Sequence, residues 1–160
     1  MNKGDLDQIE IRPIGYVRRT STGEKVRDRS LISEIILNDT LTKALDGIDG
    51  WSHVYIIYWL HRIEQRETQV LLFSGDGPDK PPVGTLATRA PIHPNPIGLT
   101  LVELTSREGN VLRVRGLDAY DGSPVLDIKP YPDWEAGQLI AVTDFRVPEW
   151  LRRVLSTRTH

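Results

Sequence analysis

The chain has 160 residues, a formal net charge of −2, 39% hydrophobic residues and no cysteine. This length suffices for one domain with its own core, and the missing cysteines exclude disulfides, thiolate nucleophiles, iron–sulfur clusters and cysteine zinc sites. The longest apolar run, Val54 to Leu60, is far shorter than the roughly 20 residues that cross a bilayer, and the polar N-terminus is unlike a signal peptide. We therefore expect a soluble, cytoplasmic protein.

The N-terminal third predicts two strands and one short helix. Residues 9–17 and 31–37 are rich in β-branched apolar side chains, which is typical of strands. Asp39 and Thr40 then offer a helix N-cap, and Gly47 or Gly50 would close the amphipathic helix that follows.

The middle of the chain predicts further strands. The run from Val54 to Leu60 is continuously apolar, which predicts a central strand buried on both faces. The remaining predicted strands are Gln69–Phe73, Val83–Thr88, Leu99–Ser106, Val111–Leu117 and Val125–Ile128, with a loop at Ser74–Pro82 and a hairpin turn at Arg107–Asn110.

Pro148 to Leu155 predicts a second helix, begun by its proline and apolar on one side. Regularly punctuated strands with two short helices predict a mainly β fold, a single-sheet β-barrel-like domain.

Residues 84–100 form a segment that no regular element explains. Pro91, Pro94 and Pro96 each remove a backbone donor and fix φ near about −65°, which predicts a rigid, non-periodic loop. The loop presents Thr88, Arg89, His93 and Asn95, and a stiff backbone offers such groups to a ligand with little loss of entropy. The alternative is a structural crossover in which Asn95–Pro96 and Gly98 make a turn.

A second polar segment spans residues 116–131. Asp118 and Asp121 flank Tyr120, and carboxylates beside an aromatic ring suit a ligand with positive charge or ribose hydroxyls. The alternative for Asp121–Gly122 is turn chemistry alone. Asp127 and Lys129 share strand parity, which favours an ion pair over catalysis.

Two common kinds of site are not predicted. No glycine-rich turn joins a strand to a long helix, so the dinucleotide fingerprint and the phosphate-binding P-loop are missing. His53, His61 and His93 are too widely spaced for a local metal motif, and a zinc site would require the fold to bring them together. No metal is expected.

Basic residues concentrate near both ends of the sequence. If they converge they would attract phosphates, and the alternative is solvated surface charge. They are Arg12, Arg18, Arg19, Lys25, Arg27 and Arg29 in the N-terminal stretch, and Arg146, Arg152, Arg153 and Arg158 in the tail.

Three blocks together resemble one known family. The motifs ATRAPIHPNPIGLT (residues 87–100) and GLDAYDGSPVLDIKPY (116–131), with Trp51–His53 and the following apolar strand, are similar to the TsaA-like family, also called TrmO. The resemblance implies S-adenosylmethionine-dependent methylation of tRNA at N6 of the threonylcarbamoyl-adenosine next to the anticodon. It also implies a single-sheet β-barrel and a homodimer with the cofactor site near the subunit interface. We expect one domain over residues 1–160, with a core at about 9–135 and a basic helix at about 148–157.

The resemblance also implies site residues. Cofactor contacts fall on His61, Arg62, Arg89, Leu99, Asp118, Ala119, Tyr120 and Asp121, and through a looser match on Asp28, Arg29 and Ser30. Methyl transfer from a sulfonium depends mainly on positioning, and the proton of N6 requires an acceptor, for which Asp118, Asp121 and His93 are candidates. The expected tRNA contacts are His93, Arg152, Arg153 and Arg158.

His93 stands where the family commonly has arginine, so a permanent charge is replaced by an imidazole, whose charge depends on pH near neutrality. Binding of tRNA through His93 should therefore weaken as pH rises above about 7. Two alternative functions stay open: a module that binds S-adenosylmethionine or a nucleoside without turnover, and a methyltransferase of another RNA or small molecule.

Overall fold

The computed structural model describes residues 9–19, 28–63 and 84–131, and the backbone of two short strands beyond them. The chain divides into two compact units, residues 1–62 with 97–132 and residues 63–96 with 133–160. The predicted strand Gln69–Phe73, the loop Ser74–Pro82 and the helix Pro148–Leu155 lie outside the described residues.

The first unit contains a closed antiparallel barrel with the strand order β1-β2-β5-β4-β3-β6. This confirms the prediction of a mainly β, single-sheet barrel with a few short helices. Its strands are β1 (Gly15–Arg18), β2 (Ile32–Leu37), β3 (His53–Trp59), β4 (Ile97–Glu108), β5 (Val111–Arg115) and β6 (Pro124–Tyr131).

Alternation along each strand builds the barrel interior. In β3, Val54, Ile56 and Tyr58 are buried, whereas Tyr55 and Ile57 are only partly covered. The prediction that this strand is buried on both faces is therefore wrong, because only one face of a closed sheet points to the core. Tyr55 and Ile57 therefore form an apolar outer face of β3 that is not part of the barrel core.

The core lies inside the barrel and continues to the inner side of its helical cap. Each fully buried aliphatic side chain contributes about 1.5–3 kcal/mol. The buried members are Val17, Ile35, Leu37, Leu45, Ile48, Val54, Ile56, Tyr58, Val102, Leu112, Val114, Leu117, Ala119 and Val125.

Two 3₁₀ helices, Asp39–Leu45 and Ile48–Gly50, follow β2 and form this cap at one end of the barrel. Asn38 occupies the N-cap position without a side-chain bond, so the capping predicted for Asp39 and Thr40 is wrong. The cap is held instead by Arg107, which donates from Nη1 to the Leu45 carbonyl at 2.9 Å and from Nη2 to the Thr42 carbonyl at 3.0 Å.

Other local predictions have mixed outcomes. The hairpin turn between β4 and β5 is confirmed, with Gly109 at φ 61°. The ion pair is also confirmed, since Lys129 Nζ lies 2.8 Å from Asp127 Oδ2. The first strand begins at Gly15 rather than Ile9, and Pro13, just before this start, has no N–H to donate to a ladder.

The second unit is described at residues 84–96 and at two paired strands, β7 (Trp134–Glu135) and β8 (Gln138–Leu139). Thr85–Ala87 is a 3₁₀ turn, so the strand predicted at Val83–Thr88 is wrong. The Ala87 N–H donates to the Gly84 carbonyl at 2.9 Å and the Thr88 N–H to that of Thr85 at 3.1 Å. These backbone groups are used locally and are not available for a strand ladder.

Candidate functional site

Several predicted cofactor residues converge at the end of the barrel opposite the helical cap. Here β3 leads into His61 and Arg62, and the β5–β6 loop, Gly116–Ser123, returns the chain to β6. The Arg62 guanidinium lies 4.4 Å from the centre of the Tyr120 ring, within cation–π range. His61 Nδ1 lies 3.2 Å from Ser123 Oγ, a hydrogen-bonding distance. The barrel thus brings together two segments that are far apart in sequence.

Arg19 fixes the shape of the β5–β6 loop from inside. Its side chain is buried, and Nη1 donates to the carbonyls of Leu117 at 3.2 Å and Ala119 at 3.0 Å. Its backbone N–H donates to Asp121 Oδ1 at 2.8 Å. The guanidinium thus binds the first part of the loop and the backbone N–H of the same residue binds Asp121, so that Arg19 holds both parts of the loop in place.

Side chains along this loop alternate between core and solvent. Leu117 and Ala119 are 1% exposed and anchor the loop, whereas Asp118, Tyr120 and Asp121 are exposed. The Ala119 methyl group is therefore buried and its carbonyl is bonded to Arg19. Asp118 and Tyr120 present one carboxylate and one aromatic ring side by side along the chain.

Asp118 is oriented by two hydroxyl groups from the barrel interior. Tyr58 donates from its hydroxyl to Asp118 Oδ1 at 2.9 Å, and the Thr100 hydroxyl donates to the same oxygen. Both donors are 3% exposed. The carboxylate at the barrel end is thus connected to buried residues of β3 and β4.

The looser match at Asp28–Ser30 lies beside the same loop. Asp28 Oδ1 accepts from the Ser30 N–H at 2.9 Å and from the Ser30 hydroxyl at 2.6 Å. The Arg29 carbonyl lies 3.6 Å from where a Cβ would stand on Gly116, the first residue of the β5–β6 loop. All three side chains of this segment are exposed.

Leu99 occupies a different position from these residues. It lies within β4, paired with Ile57, and its side chain is 44% exposed on the outer wall of the barrel. Its neighbours Gly98 and Thr100 face the interior.

Arg89 and His93 belong to the second unit, where local bonds shape the proline-rich loop. The Thr88 hydroxyl donates to the Thr85 carbonyl at 2.8 Å, and the Ala90 N–H donates to Thr88 Oγ1 at 3.2 Å. His93 Nε2 lies 3.2 Å from the Thr88 carbonyl. Since a carbonyl only accepts, Nε2 carries the proton and Nδ1 of the neutral ring holds a lone pair. Arg89 is exposed and His93 is half-buried.

The basic N-terminal stretch is partly neutralised. Arg12 Nε lies 3.0 Å from Glu10 Oε1, Arg18 pairs with Glu34 across β1 and β2, and Arg19 is buried. The Arg18 hydrogen bond, with further help from Arg113, holds the pKa of the Glu34 carboxyl below its usual value. Lys25 and Arg27 lie outside the described residues, as do the tail arginines 146, 152, 153 and 158. Within the described residues of this stretch, Arg12 and Arg18 are thus surface charges paired with glutamates, and Arg19 is part of the interior.

The structure does not support a zinc site built from histidines of the barrel. His53 begins β3 and lies 3.0 Å from Ser52 Oγ through Nδ1, while His61 lies beyond the other end of the strand. Within the described ranges, no group of three potential metal ligands comes together. No helix among the same residues is long and apolar enough to span a membrane.

A cavity of 540 Å³ lies at the capped end of the barrel and is lined largely by apolar side chains, including those of Leu37, Leu45, Trp51 and Ile128. None of the predicted cofactor residues lines it.

Sequence reasoning missed Tyr58, Thr100, Gly98 and Arg19. Tyr58 and Thr100 fall in predicted strands, whereas Gly98 was considered only in the alternative of a turn and lies instead in β4. Period-2 alternation places all three on the interior face at the barrel end. A polar side chain at an inward strand position was the available signal. Nothing in the sequence indicates that Arg19 points inward.

Comparison with known proteins adds independent evidence. The sequence model of one protein family, the tRNA-methyltransferase O N-terminal domain, matches residues 21–134 of this chain. A probable S-adenosyl-L-methionine-binding protein of Methanothermobacter thermautotrophicus is 44% identical over 129 residues, which are 78% of this chain and 90% of that protein. The tRNA (adenine(37)-N6)-methyltransferase of Mus musculus is 34% identical over 146 residues, which are 87% of this chain and 32% of that protein.

A solved structure supports the same relationship. The crystal structure of TrmO from P. aeruginosa superposes with a TM-score of 0.67 at 28% identity, covering 90% of this chain and 62% of that chain. The chain thus spans less than two thirds of the length of this TrmO and about a third of the mouse enzyme. Because the family model covers most of the barrel and the fold agrees, the chain belongs to the tRNA-methyltransferase O N-terminal domain family.

Proposed function

We propose that the protein is an S-adenosylmethionine-dependent tRNA methyltransferase that acts on N6 of the threonylcarbamoyl-adenosine next to the anticodon. The observation that carries this proposal is the convergence of His61, Arg62, Asp118 and Tyr120 at one end of the barrel. The names of the relatives, one for S-adenosylmethionine binding and one for methylation of tRNA adenine, support the same function.

The residues at the barrel end fit a cofactor that combines a cation with ribose hydroxyls. Asp118 offers an exposed carboxylate whose Oδ1 is already oriented, and Tyr120 offers an aromatic ring that is 39% exposed. Carboxylates and aromatic faces both attract cations, and carboxylates accept from hydroxyls. S-adenosylmethionine, when bound, supplies an electrophilic methyl group on a sulfonium.

The protein's contribution to the reaction is positioning and the removal of one proton. Methyl transfer to N6 is an in-line displacement, in which alignment of the reacting atoms lowers the barrier without a covalent intermediate. The N6–H proton passes to an acceptor, and the proposed acceptors are Asp118, Asp121 and His93 through its Nδ1. Comparison of kcat for D118N, D121N and H93Q at equal cofactor saturation identifies the group that carries the proton.

A second chain and tRNA complete the proposed assembly. The outer wall of the barrel carries an apolar patch of Ile97, Leu99 and Leu101 on β4, with exposures of 40%, 44% and 37%. Such a patch on a sheet face favours association, and we assign the homodimer interface to it. Leu101→Glu should shift the mass measured by light scattering from dimer to monomer. A dimer that persists in this variant would show that the interface lies on another surface.

The proposed tRNA contacts are His93 and three arginines of the tail, Arg152, Arg153 and Arg158. His93 belongs to the described residues, and the three arginines lie outside them. Neutralising the three arginines should weaken tRNA binding and reduce its salt dependence while cofactor binding stays unchanged. We propose that the reaction takes place in the cytoplasm, in keeping with a tRNA substrate.

The decisive experiment supplies purified protein with methyl-labelled S-adenosylmethionine and two tRNA preparations, one with and one without the threonylcarbamoyl group. Mass spectrometry of the digested nucleosides should show a labelled methyl group on threonylcarbamoyl-adenosine only. Cofactor binding without transfer to either tRNA would instead indicate a binding module. Transfer that ignores the threonylcarbamoyl group would indicate a methyltransferase of another substrate.

A further inference from the structure

The Asp118 carboxylate is held asymmetrically by the barrel. Its Oδ1 accepts from the hydroxyls of Tyr58 and Thr100, which themselves lie 3.5 Å apart. No hydrogen bond to Oδ2 is found among residues 9–19, 28–63 and 84–131. Since Asp118 is exposed, Oδ2 is the oxygen that a ligand at the barrel end can reach.

The positions of Tyr58 and Thr100 on the interior face, and the space left by Gly98, allow both hydroxyls to reach Asp118. Tyr58 and Thr100 both face the interior at this end, on adjacent strands β3 and β4. Gly98 pairs directly with Tyr58, and a Cβ on Gly98 would stand 2.3 Å from Cζ of the Tyr58 ring. The tyrosine ring therefore lies flat on a strand position that has no side chain.

We propose that Tyr58 and Thr100 are positioning residues that aim Asp118 Oδ2 at a hydrogen-bond donor of the cofactor. Neither residue touches the ligand; both act through the orientation of Asp118. This inference rests on the proposed function, because it assumes that the cofactor occupies this end of the barrel. The donor is either a ribose hydroxyl or the ammonium of the methionine part, both of which suit a carboxylate oxygen.

Titration calorimetry with S-adenosylmethionine tests the proposal without tRNA or turnover. Tyr58→Phe and Thr100→Val each remove one hydroxyl and keep the shape of the side chain. Each should weaken cofactor binding about tenfold, which corresponds to one hydrogen bond to a charged group. Tyr16→Phe, on the outer face of β1, and Thr105→Val, farther along β4, are matched controls and should leave affinity unchanged.

A double-mutant cycle separates positioning from a merely structural role. In the D118N background, Tyr58→Phe should cost at most about twofold, because the group through which Tyr58 acts has already changed. An undiminished tenfold loss in that background would overturn the proposal, as would unchanged affinity of both hydroxyl-deletion variants. If Tyr58→Phe does not fold, Thr100→Val supports the same cycle.

A comparison of two ligands identifies which cofactor group donates to Asp118. It also distinguishes a failure of the positioning role from a failure of the proposed function. Methylthioadenosine keeps the ribose but lacks the ammonium, so an equal loss for both ligands assigns a ribose hydroxyl and a loss for S-adenosylmethionine alone assigns the ammonium. Wild-type protein that binds neither ligand would refute the proposed function itself. Wild-type binding with insensitive variants would refute only the positioning role.

Discussion

Gly98 is the residue at which a single added methyl group should disturb both stability and the site. In Gly98→Ala the new Cβ would stand 2.3 Å from Tyr58 Cζ and 2.6 Å from Cε2. Carbon atoms settle at about 3.5 Å or more, so the ring or the strand must move by roughly 1.2 Å. A shift of that size breaks the bond from the Tyr58 hydroxyl to Asp118, which is 2.9 Å long.

The expected loss of stability has two parts. Overpacking in a core costs about 1–3 kcal/mol, and the lost hydrogen bond to a partly exposed carboxylate adds about 1 kcal/mol. Gly98→Ala should therefore lower the free energy of unfolding by about 2–4 kcal/mol. For a domain of this size that is a fall in Tm of about 4–16 °C.

Denaturant unfolding followed by circular dichroism measures this effect. Gly50→Ala is a matched control, since nothing lies within 4 Å of the position of its Cβ, and it should change stability by less than about 0.5 kcal/mol. In a Tyr58→Leu background the cost of Gly98→Ala should shrink, because the branched aliphatic side chain leaves the space that the ring fills. A Gly98→Ala protein as stable as wild type, or a cost that ignores Tyr58, would refute the packing argument.

Two further predictions concern the rest of the barrel. Arg107→Ala should destabilise the protein by about 2–3 kcal/mol and make the Asp39–Leu45 helix sensitive to proteases, because two backbone carbonyls of the cap lose a charged donor. Denaturant unfolding measures the loss of stability, and limited proteolysis measures the exposure of the helix. Arg12→Ala, which removes one partner of an exposed ion pair, is the control. A cap that stays protected would show that Arg107 is dispensable. Glu34→Gln should be less stable than wild type by about 0.5–1 kcal/mol near pH 7. Because the pKa of Glu34 is lowered in the folded state by Arg18, its contribution is present above the unfolded pKa of about 4.3 and is lost as pH falls through the lower folded value. A difference between the two proteins that stays constant from pH 7 to pH 2.5 would contradict this assignment.

The local predictions that held depend on chemistry that acts over a few residues. The Asn110-containing turn and the Asp127–Lys129 pair follow from glycine geometry and strand parity, and both are present. The strand predicted at Val83–Thr88 failed because hydrogen bonds between residues three apart competed with a ladder. Propensity alone does not decide between those two uses of the same backbone groups.

The burial of the Val54–Leu60 run is a second property that the local sequence pattern does not predict. Continuous apolar character predicts two covered faces, but closure of the sheet gives β3 one interior face and leaves Tyr55 and Ile57 partly exposed. Whether a sheet closes depends on the pairing of β1 with β6, residues that are about a hundred positions apart. No local pattern carries that information.

The sequence by itself determined the β-rich class, the positions of most strands and the two polar segments, because alternation, proline and glycine act locally. Through its motifs it also indicated the family, which the family model and the solved structure support. Only the tertiary structure decided that His61 and Arg62 meet the β5–β6 loop, and that Tyr58 and Thr100 bond to Asp118. These contacts join residues 18 to 62 positions apart, and they exist because barrel closure brings the ends of different strands to one place.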